Sequence, residues 1–313
     1  MTDRYGRTIR YLRLSVTDLC SYRCVYCMAE EGVEKRRHGD VLSIEELAEI
    51  GAAAVRCGVD KIRLTGGEPL VRRGILTLCE RLRALPGLRE LTVTTNGAAL
   101  GAMAAALRAA GVDRLNVSLD TLRPERFRAV TRRGALDDVL RGLDAADAAG
   151  FTGTKLNVVL LGGVNDDEIA DFVALTRDGS RSVRFIELMP MGVCAEFPRE
   201  RFLSADAVLA AVPELERVGG DGVAELYRAP GHRGTVGLIR PVSRCFCAAC
   251  DRIRVTADGR LKPCLHSAEE LPLRGLHGAA LEDAIRAGAA AKPERHHLAQ
   301  GSGTPRGMFE IGG

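Results

Sequence analysis

Lys61-Ile-Arg-Leu-Thr-Gly-Gly-Glu-Pro69 is a short run with apolar residues at alternate positions, halted by two glycines and a proline. That pattern describes a strand delivering its C-terminal end into a loop. The stretch before it, Ser43–Cys57, is amphipathic and opens with Ser43 as N-cap and Glu46 three residues on, and Gly58 ends it. Helix, strand and polar loop therefore follow one another within 27 residues. The same alternation runs from Ile9 to Leu188, with strands predicted at Ile9–Leu14, Lys61–Leu64, Leu91–Thr94, Arg114–Ser118, Lys155–Leu160 and Val183–Leu188. Further helical patterns lie near Ile75–Ala84, Ala99–Ala109, Leu136–Ala149 and Asp166–Thr176. Repeated βα units with right-handed crossovers give a barrel or a doubly wound sheet, and both place function at the strand C-termini. Polar punctuation sits there in this chain: Thr65–Pro69, Thr95-Asn-Gly97, Ser118-Leu-Asp120 and Met189-Pro-Met-Gly192.

After about residue 195 the pattern changes to Gly- and Pro-rich segments with short strands. Ile253–Ala257 turned by Asp258-Gly259 into Arg260–Lys262 is a hairpin signal. Residues 1–195 and 196–313 are accordingly read as two regions, the second smaller and packed over the rim of the first. The Ala-rich stretches 104–110 and 284–291 are read as close-packed helix faces.

Composition excludes several classes. The 313 residues are 46% hydrophobic and 27% charged, as in ordinary globular proteins. No apolar run approaches bilayer length, and the N-terminus lacks the apolar core of a secretory signal, so a cytoplasmic location is expected. In a reducing compartment the ten cysteines are metal ligands or core residues rather than disulfides. A net charge of +3, 4% aromatic residues and no Trp argue against nucleic acid. Arg13, Arg63, Arg72, Arg73, Lys155, Arg252 and Arg254 instead lie in or beside the motifs, which suits a small polyanion.

Two cysteine groups carry the chemistry. Cys20, Cys24 and Cys27 follow the first strand as C-x3-C-x2-C and place three soft ligands on one loop. Three ligands leave a position open, which favours an iron-sulfur cluster, although zinc with His38 or unligated thiols fit the same spacing. Cys247, Cys250 and Cys264 form a second triplet across the hairpin, with Cys245 or His266 available as a fourth ligand. Alone, that group favours structural zinc. Cys245 is expected not to ligate, because Pro241 and Ser243 suggest a turn that would separate it from Cys247. Cys57 and Cys79 are read as core, and Cys194 is undecided.

Taken together, these residues resemble the radical S-adenosylmethionine (SAM) enzymes, with the family's aromatic residue at Tyr26. The chain is more specifically similar to the GTP 3′,8-cyclase family through Arg13, Arg63–Pro69, Thr94-Thr-Asn-Gly97, Asn116–Asp120, Phe185–Met189, the second triplet, Arg252-Ile-Arg254 and the terminal Gly312-Gly313. The resemblance implies an α/β fold, a partial (β/α)6 TIM-type barrel with a smaller C-terminal α+β region. It implies one 4Fe-4S cluster on Cys20, Cys24 and Cys27, and a second on Cys247, Cys250 and Cys264. SAM would be bound at Tyr26, Gly67, Ser118 and Met189, and GTP at Arg13, Arg63, Thr94, Lys155, Arg252, Ile253 and Arg254. Gly312 and Gly313 would reach into the active site. The implied reaction cyclises GTP to 3′,8-cyclo-7,8-dihydro-GTP early in molybdenum cofactor biosynthesis. An electron donor, a downstream cyclic pyranopterin monophosphate synthase and a homodimeric state are implied with it. Two other readings remain at this point, a two-cluster radical enzyme acting on a peptide or protein and a non-enzymatic zinc-binding module.

Overall fold

The computed structural model describes residues 1–33, 36–179, 181–296, 298 and 303–312, His38 by its backbone alone. Six strands, β1 (Tyr11–Ser15), β2 (Lys61–Thr65), β3 (Glu90–Thr95), β4 (Arg114–Ser118), β5 (Thr154–Leu160) and β6 (Arg181–Glu187), pair in parallel and in chain order. Helices α1 (Ile44–Arg56), α2 (Ile75–Arg83), α3 (Leu100–Ala109), α4 (Pro124–Thr131), α5 (Leu136–Ala148) and α6 (Ile169–Ala174) lie between them. This is the expected partial (β/α)6 barrel. Residues from β2 through β6 line one cavity, so the sheet curls, yet it does not close among the described residues.

The capping box forms: the Glu46 N–H donates to Ser43 Oγ (3.1 Å) and the Ser43 N–H to Glu46 Oε2 (2.7 Å). Helix α4 goes beyond the sequence reading, because eight residues opened by Pro124 carry too little periodicity to be seen. The pattern at Asp166–Thr176 divides into a 3-10 turn, Asp166–Glu168, and the shorter α6.

The C-terminal strands join the same sheet. After α7 (Asp206–Ala211) come β7 (Glu216–Gly220), β8 (Ala224–Arg228) and β9 (Val236–Ile239), and β9 pairs in parallel with β6. On the opposite edge β10 (Arg252–Val255) pairs in parallel with β1, and β11 (Arg260–Lys262) and β12 (Leu271–Pro272) continue antiparallel. The hairpin at 253–262 is therefore present, and through it the far end of the chain lies against the first strand. Helix α8 (Gly278–Ala290) packs on α1, and α9 (Met308–Ile311) closes the chain.

One large hydrophobic core fills the space between sheet and helices, with Leu12, Leu64, Val93, Leu115 and Phe185 fully buried. Cys57 and Cys79 belong to it, as expected. No described helix is long and apolar enough to cross a membrane.

Candidate active site

The Cys20–Cys27 loop leaves β1 and is pinned from two sides. Its Arg23 and Val25 N–H groups donate to the carbonyls of Thr131 and Val130 at the end of α4, each at 2.9 Å. On the other side, the Gly67 N–H donates to Thr17 O and the Glu68 N–H to Leu19 O, each at 2.8 Å. A Cβ on Gly67 would collide with the carbonyls of Leu19 and Asp18. Glycine is needed at 67 first because the cysteine loop presses on it, a constraint internal to the chain.

Cys20, Cys24 and Cys27 face one cavity of about 210 Å3, together with Tyr26, Gly67, Ser118 and Met189. The site residues expected for SAM are thus brought together. Two N–H donors, from Tyr22 (3.4 Å) and Asn96 Nδ2 (3.8 Å), approach Cys20 Sγ, an arrangement that favours a charged sulfur. Burial pushes all three thiols up, Cys27 to about 12, and the neighbouring sulfurs add to the shift at Cys24 and Cys27. Such a group becomes thiolate only when a metal replaces its protons. Cys194 also reaches this cavity, but its thiol donates to the carbonyls of Met189 and Met191, each at 3.0 Å, which makes it structural. His38 as a ligand lies outside the described side chains. Three soft ligands in a cavity that continues beyond them fit a 4Fe-4S cluster with one iron left for SAM.

Two buried carboxyls share the cavity. Burial pushes Glu68 up to about 7 against donors from Asn96, Leu70 and Thr95. Asp120 is pushed up to about 6 by burial while accepting from Tyr26 Oη (2.6 Å) and the Val159 N–H (2.9 Å). Asp120 therefore ties the cysteine loop to β5.

A second cavity of about 400 Å3 adjoins the first, with Asn157, Ile186, Met189 and Met308 lining both. Cys247, Cys250 and Cys264 line it together with a bank of cations. Arg254, Arg13 and Arg63 are register partners on β10, β1 and β2, so three guanidinium groups stand side by side on adjacent strands. Lys155 and Arg184 complete the bank from β5 and β6. Burial, together with Arg254, Arg63 and Arg252, pushes Arg13 well below the usual guanidinium value. Burial and Arg252 lower Arg254 to about 10, and burial and Arg184 lower Lys155 to about 8. Cations that weaken one another when crowded and desolvated are stabilised by an anion in the cavity. Burial raises Cys250, but Arg252 and Lys292 outweigh it and hold the thiol near 7, close to the thiolate form that ligates metal. This donor set fits a second cluster.

Buried polar atoms without partners gather here: Tyr22 Oη, Thr65 Oγ1 and Thr94 Oγ1 in the first cavity, Tyr11 Oη, Arg184 Nη1 and His266 Nδ1 in the second. A polar ligand would satisfy them.

Two expected substrate residues sit elsewhere. Thr94 lines the first cavity, since it lies nearer the C-terminal end of β3 than the cation bank does. Ile253 is fully buried in the core, because strand alternation turns it away from the face that Arg252 and Arg254 share. Asn116, Asn157, Arg184, Asp221 and Lys292 join the second cavity without having been anticipated. Alternation was the available signal: Asn157 stands two residues from Lys155 on one face of β5. Asp221, 3.5 Å from both Lys155 Nζ and Arg184 Nη2, comes from the β7–β8 turn and had no sequence signal.

The C-terminal tail is seated between the cavities. Gly312 O accepts from Arg13 Nε (3.1 Å) and Arg254 Nη1 (2.8 Å). Gly312 has φ +69°, and a Cβ there would collide with Thr65 Oγ1. Gly313 lies outside the described residues. The tail is held by Arg306, which donates to both Glu270 oxygens (2.6 and 2.7 Å) and both Asp258 oxygens (3.2 and 2.9 Å). Arg36 bridges Asp18 and Glu310, each at 2.9 Å.

Comparison with known proteins gives two adjoining matches, to the Radical SAM superfamily over residues 14–176 and to Molybdenum Cofactor Synthesis C over residues 181–298. The chain is 50% identical to the GTP 3′,8-cyclase of Peptoclostridium acidaminophilum, over 100% of its own length and 98% of that protein. It is 48% identical to the GTP 3′,8-cyclase of Geobacter sulfurreducens, over 95% and 94%. Among solved structures, Streptococcus suis SuiB superposes with a TM-score of 0.61 at 13% identity over 90% of this chain and 68% of that one. The FeFe-hydrogenase maturase HydG of Carboxydothermus hydrogenoformans gives 0.52 at 17% identity over 66% and 50%. These two are alike in fold alone.

Two outcomes follow from the geometry. Arg306→Ala is expected to speed amide hydrogen exchange across 307–312 by at least about tenfold, and Arg306→Lys by less, because lysine cannot bridge two carboxylates with a planar fork. Asp120 is protonated more readily in the folded chain than at its ordinary value of 3.8, so folding takes up a proton and stability falls as pH rises from about 4 to about 6. Asp120→Asn, whose amide oxygen can still accept from Val159, should remove on the order of 2 kcal/mol of that fall in urea midpoints of the metal-free chain.

Proposed function

We propose, from the premise that this chain belongs to the GTP 3′,8-cyclase family of radical SAM enzymes, a division of labour between its two adjoining cavities. The chain is an enzyme that cyclises GTP, an early step of molybdenum cofactor biosynthesis. The observation that carries the division is the bank of cations lining one cavity with Cys247, Cys250 and Cys264, which shares a wall with the cavity of Cys20, Cys24 and Cys27.

Cys20, Cys24 and Cys27 would hold a 4Fe-4S cluster, and Tyr26, Gly67, Ser118 and Met189 would bind SAM beside it. When bound, this pair supplies one-electron reduction and hydrogen abstraction from the substrate. Glu68, balanced near neutrality, offers a carboxylate to a cationic amine in that cavity. Cys247, Cys250 and Cys264 would hold the second cluster against the purine. Arg13, Arg63, Lys155, Arg252 and Arg254 would take the triphosphate, since guanidinium forks match phosphate oxygens in pairs. Met189, Met308 and Ile186 exclude water where the cavities meet, and Asn157 supplies a polar contact to both sides. Gly312 O fixes the orientation of Arg13 and Arg254, so the tail, continued by Gly313, orients the groups that grip the substrate. Holding both reactants in adjoining cavities removes the entropy of bringing them together.

Residues 1–195 then form the radical SAM barrel and 196–313 the substrate-cluster region. An external one-electron donor, a cyclic pyranopterin monophosphate synthase that consumes the product, and a homodimeric state complete the reading. Family resemblance supports all three.

Anaerobic incubation of the reconstituted chain with GTP, SAM and dithionite should yield 5′-deoxyadenosine together with 3′,8-cyclo-7,8-dihydro-GTP. Equal 5′-deoxyadenosine formation without GTP would refute the coupling. Arg63→Ala is expected to raise the KM for GTP by roughly tenfold to a hundredfold with a smaller effect on kcat, the signature of lost phosphate binding.

A further inference from the structure

Cys245 was expected to stand apart from Cys247, and it does not. The backbone from Pro241 to Cys250 does turn. Glu187, fully enclosed, accepts from the Val242 N–H (3.1 Å) and the Ser243 N–H (2.9 Å) and also holds the Ser243 hydroxyl. The turn so held brings Cys245 back toward Cys247, and His296 comes to the same place from beyond α8. One donor atom from each of Cys245, Cys247 and His296 lies within 4.8 Å of the other two.

We propose that these three residues form a binding site for a single thiophilic divalent cation of the zinc class, separate from a cluster on Cys247, Cys250 and Cys264 but sharing Cys247 with it. Around one tetrahedral zinc, with Zn–S near 2.3 Å and Zn–N near 2.0–2.1 Å, the donor atoms stand roughly 3.5–3.8 Å apart. Small side-chain adjustments bring three atoms already within 4.8 Å to that spacing.

The surroundings suit a metal-ligating histidine. The Leu298 N–H donates to His296 Nδ1 (3.2 Å) and Pro241 O faces Nε2 (3.0 Å), so Nε2 carries the proton, and a cation at Nδ1 takes that lone pair in place of the Leu298 contact. A ligating imidazole characteristically donates its other N–H to a backbone carbonyl in this way. Burial and the neighbouring thiols of Cys245, Cys264 and Cys250 push the Cys247 thiol up, against the His296 backbone N–H that donates to its Sγ. His266 packs edge-on to His296 with ring centroids 4.9 Å apart, and its buried Nδ1 has no partner. Binding releases one proton from each of the two thiols, and the two thiolates balance the charge of the ion.

Because Cys247 cannot serve both, occupation by this cation prevents assembly of the second cluster. That consequence rests on the reading of Cys247, Cys250 and Cys264 as cluster ligands, whereas the cation site does not. The full chain would then be selective at its substrate end for which metal arrives first.

The test uses the full chain with Cys20, Cys24 and Cys27 changed to Ala, so that only the C-terminal cysteines report. Metal-free protein is loaded with zinc chloride, desalted and then offered iron and sulfide anaerobically, with zinc and iron counted. The expected result is about one tightly held zinc per chain and little iron after zinc loading, against about four irons without zinc. Adding Cys245→Ala should weaken zinc binding by at least roughly a hundredfold and restore about four irons after zinc loading. His296→Gln should act in the same direction, and full iron uptake by either variant without zinc shows that it folds. Unchanged zinc affinity in both variants, or undiminished iron uptake after zinc loading, overturns the proposal. Failure to take up iron even without zinc would remove the second-cluster reading, while a zinc lost on Cys245→Ala would still uphold the cation site.

Discussion

The active site depends on a strand that arrives late. β10 hydrogen-bonds in parallel to β1, about 240 residues earlier, in the register Tyr11 to Arg252 and Arg13 to Arg254. Without β10 the first strand of the barrel would be an edge, with its backbone groups unpaired on one side. The same pairing carries the second cysteine triplet to the mouth of the first cavity. Lys292 fastens it, donating from Nζ to Arg252 O (2.8 Å) and Pro263 O (3.1 Å) while itself nearly fully enclosed. One backbone ladder thus completes the sheet and assembles the substrate pocket.

That register has an electrostatic cost. Arg254, Arg13 and Arg63 fall side by side on neighbouring strands, and burial together with Arg254 and Arg63 disfavours the charge on Arg13 between them. The Gly312 carbonyl on Arg13 and Arg254, and Asp221 beside Lys155 and Arg184, offset part of it. A bound triphosphate would offset more. Strain of this kind belongs where a protein binds rather than where it packs. The tail follows the same logic from the other side. Arg306 ties it to Glu270 and Asp258, and Arg36 ties its Glu310 to Asp18, so Gly312 reaches the arginines from a fixed anchor.

Much of the barrel was legible in residue order. Strands such as β2 and β5 declared themselves by period-two alternation, and α1 by its capping box, because those signals are local. Helix α4 was invisible, being too short to show a period. The cysteine spacings identified the triplets, and the same alternation that marks β10 places Arg252 and Arg254 in the cavity and Ile253 in the core. That Thr94 lines the first cavity was not legible, because a motif names residues without saying how far along the strand each cavity lies. Cys245 was misjudged because a turn in the backbone was taken to separate side chains that it brings together.

The sequence by itself determined the repeating βα order, the two soft-ligand groups and the family they belong to, since each rests on neighbours within a few residues or on motif identity. Tertiary structure alone decided that β10 lies beside β1, that the two cavities share a wall at Asn157, Ile186, Met189 and Met308, and that Gly312 meets Arg13 and Arg254. The physical reason is separation along the chain. Contacts between residues some 60 to 300 positions apart are set by which sheet edge is left unpaired and which buried charge lacks a partner, and no local pattern encodes either.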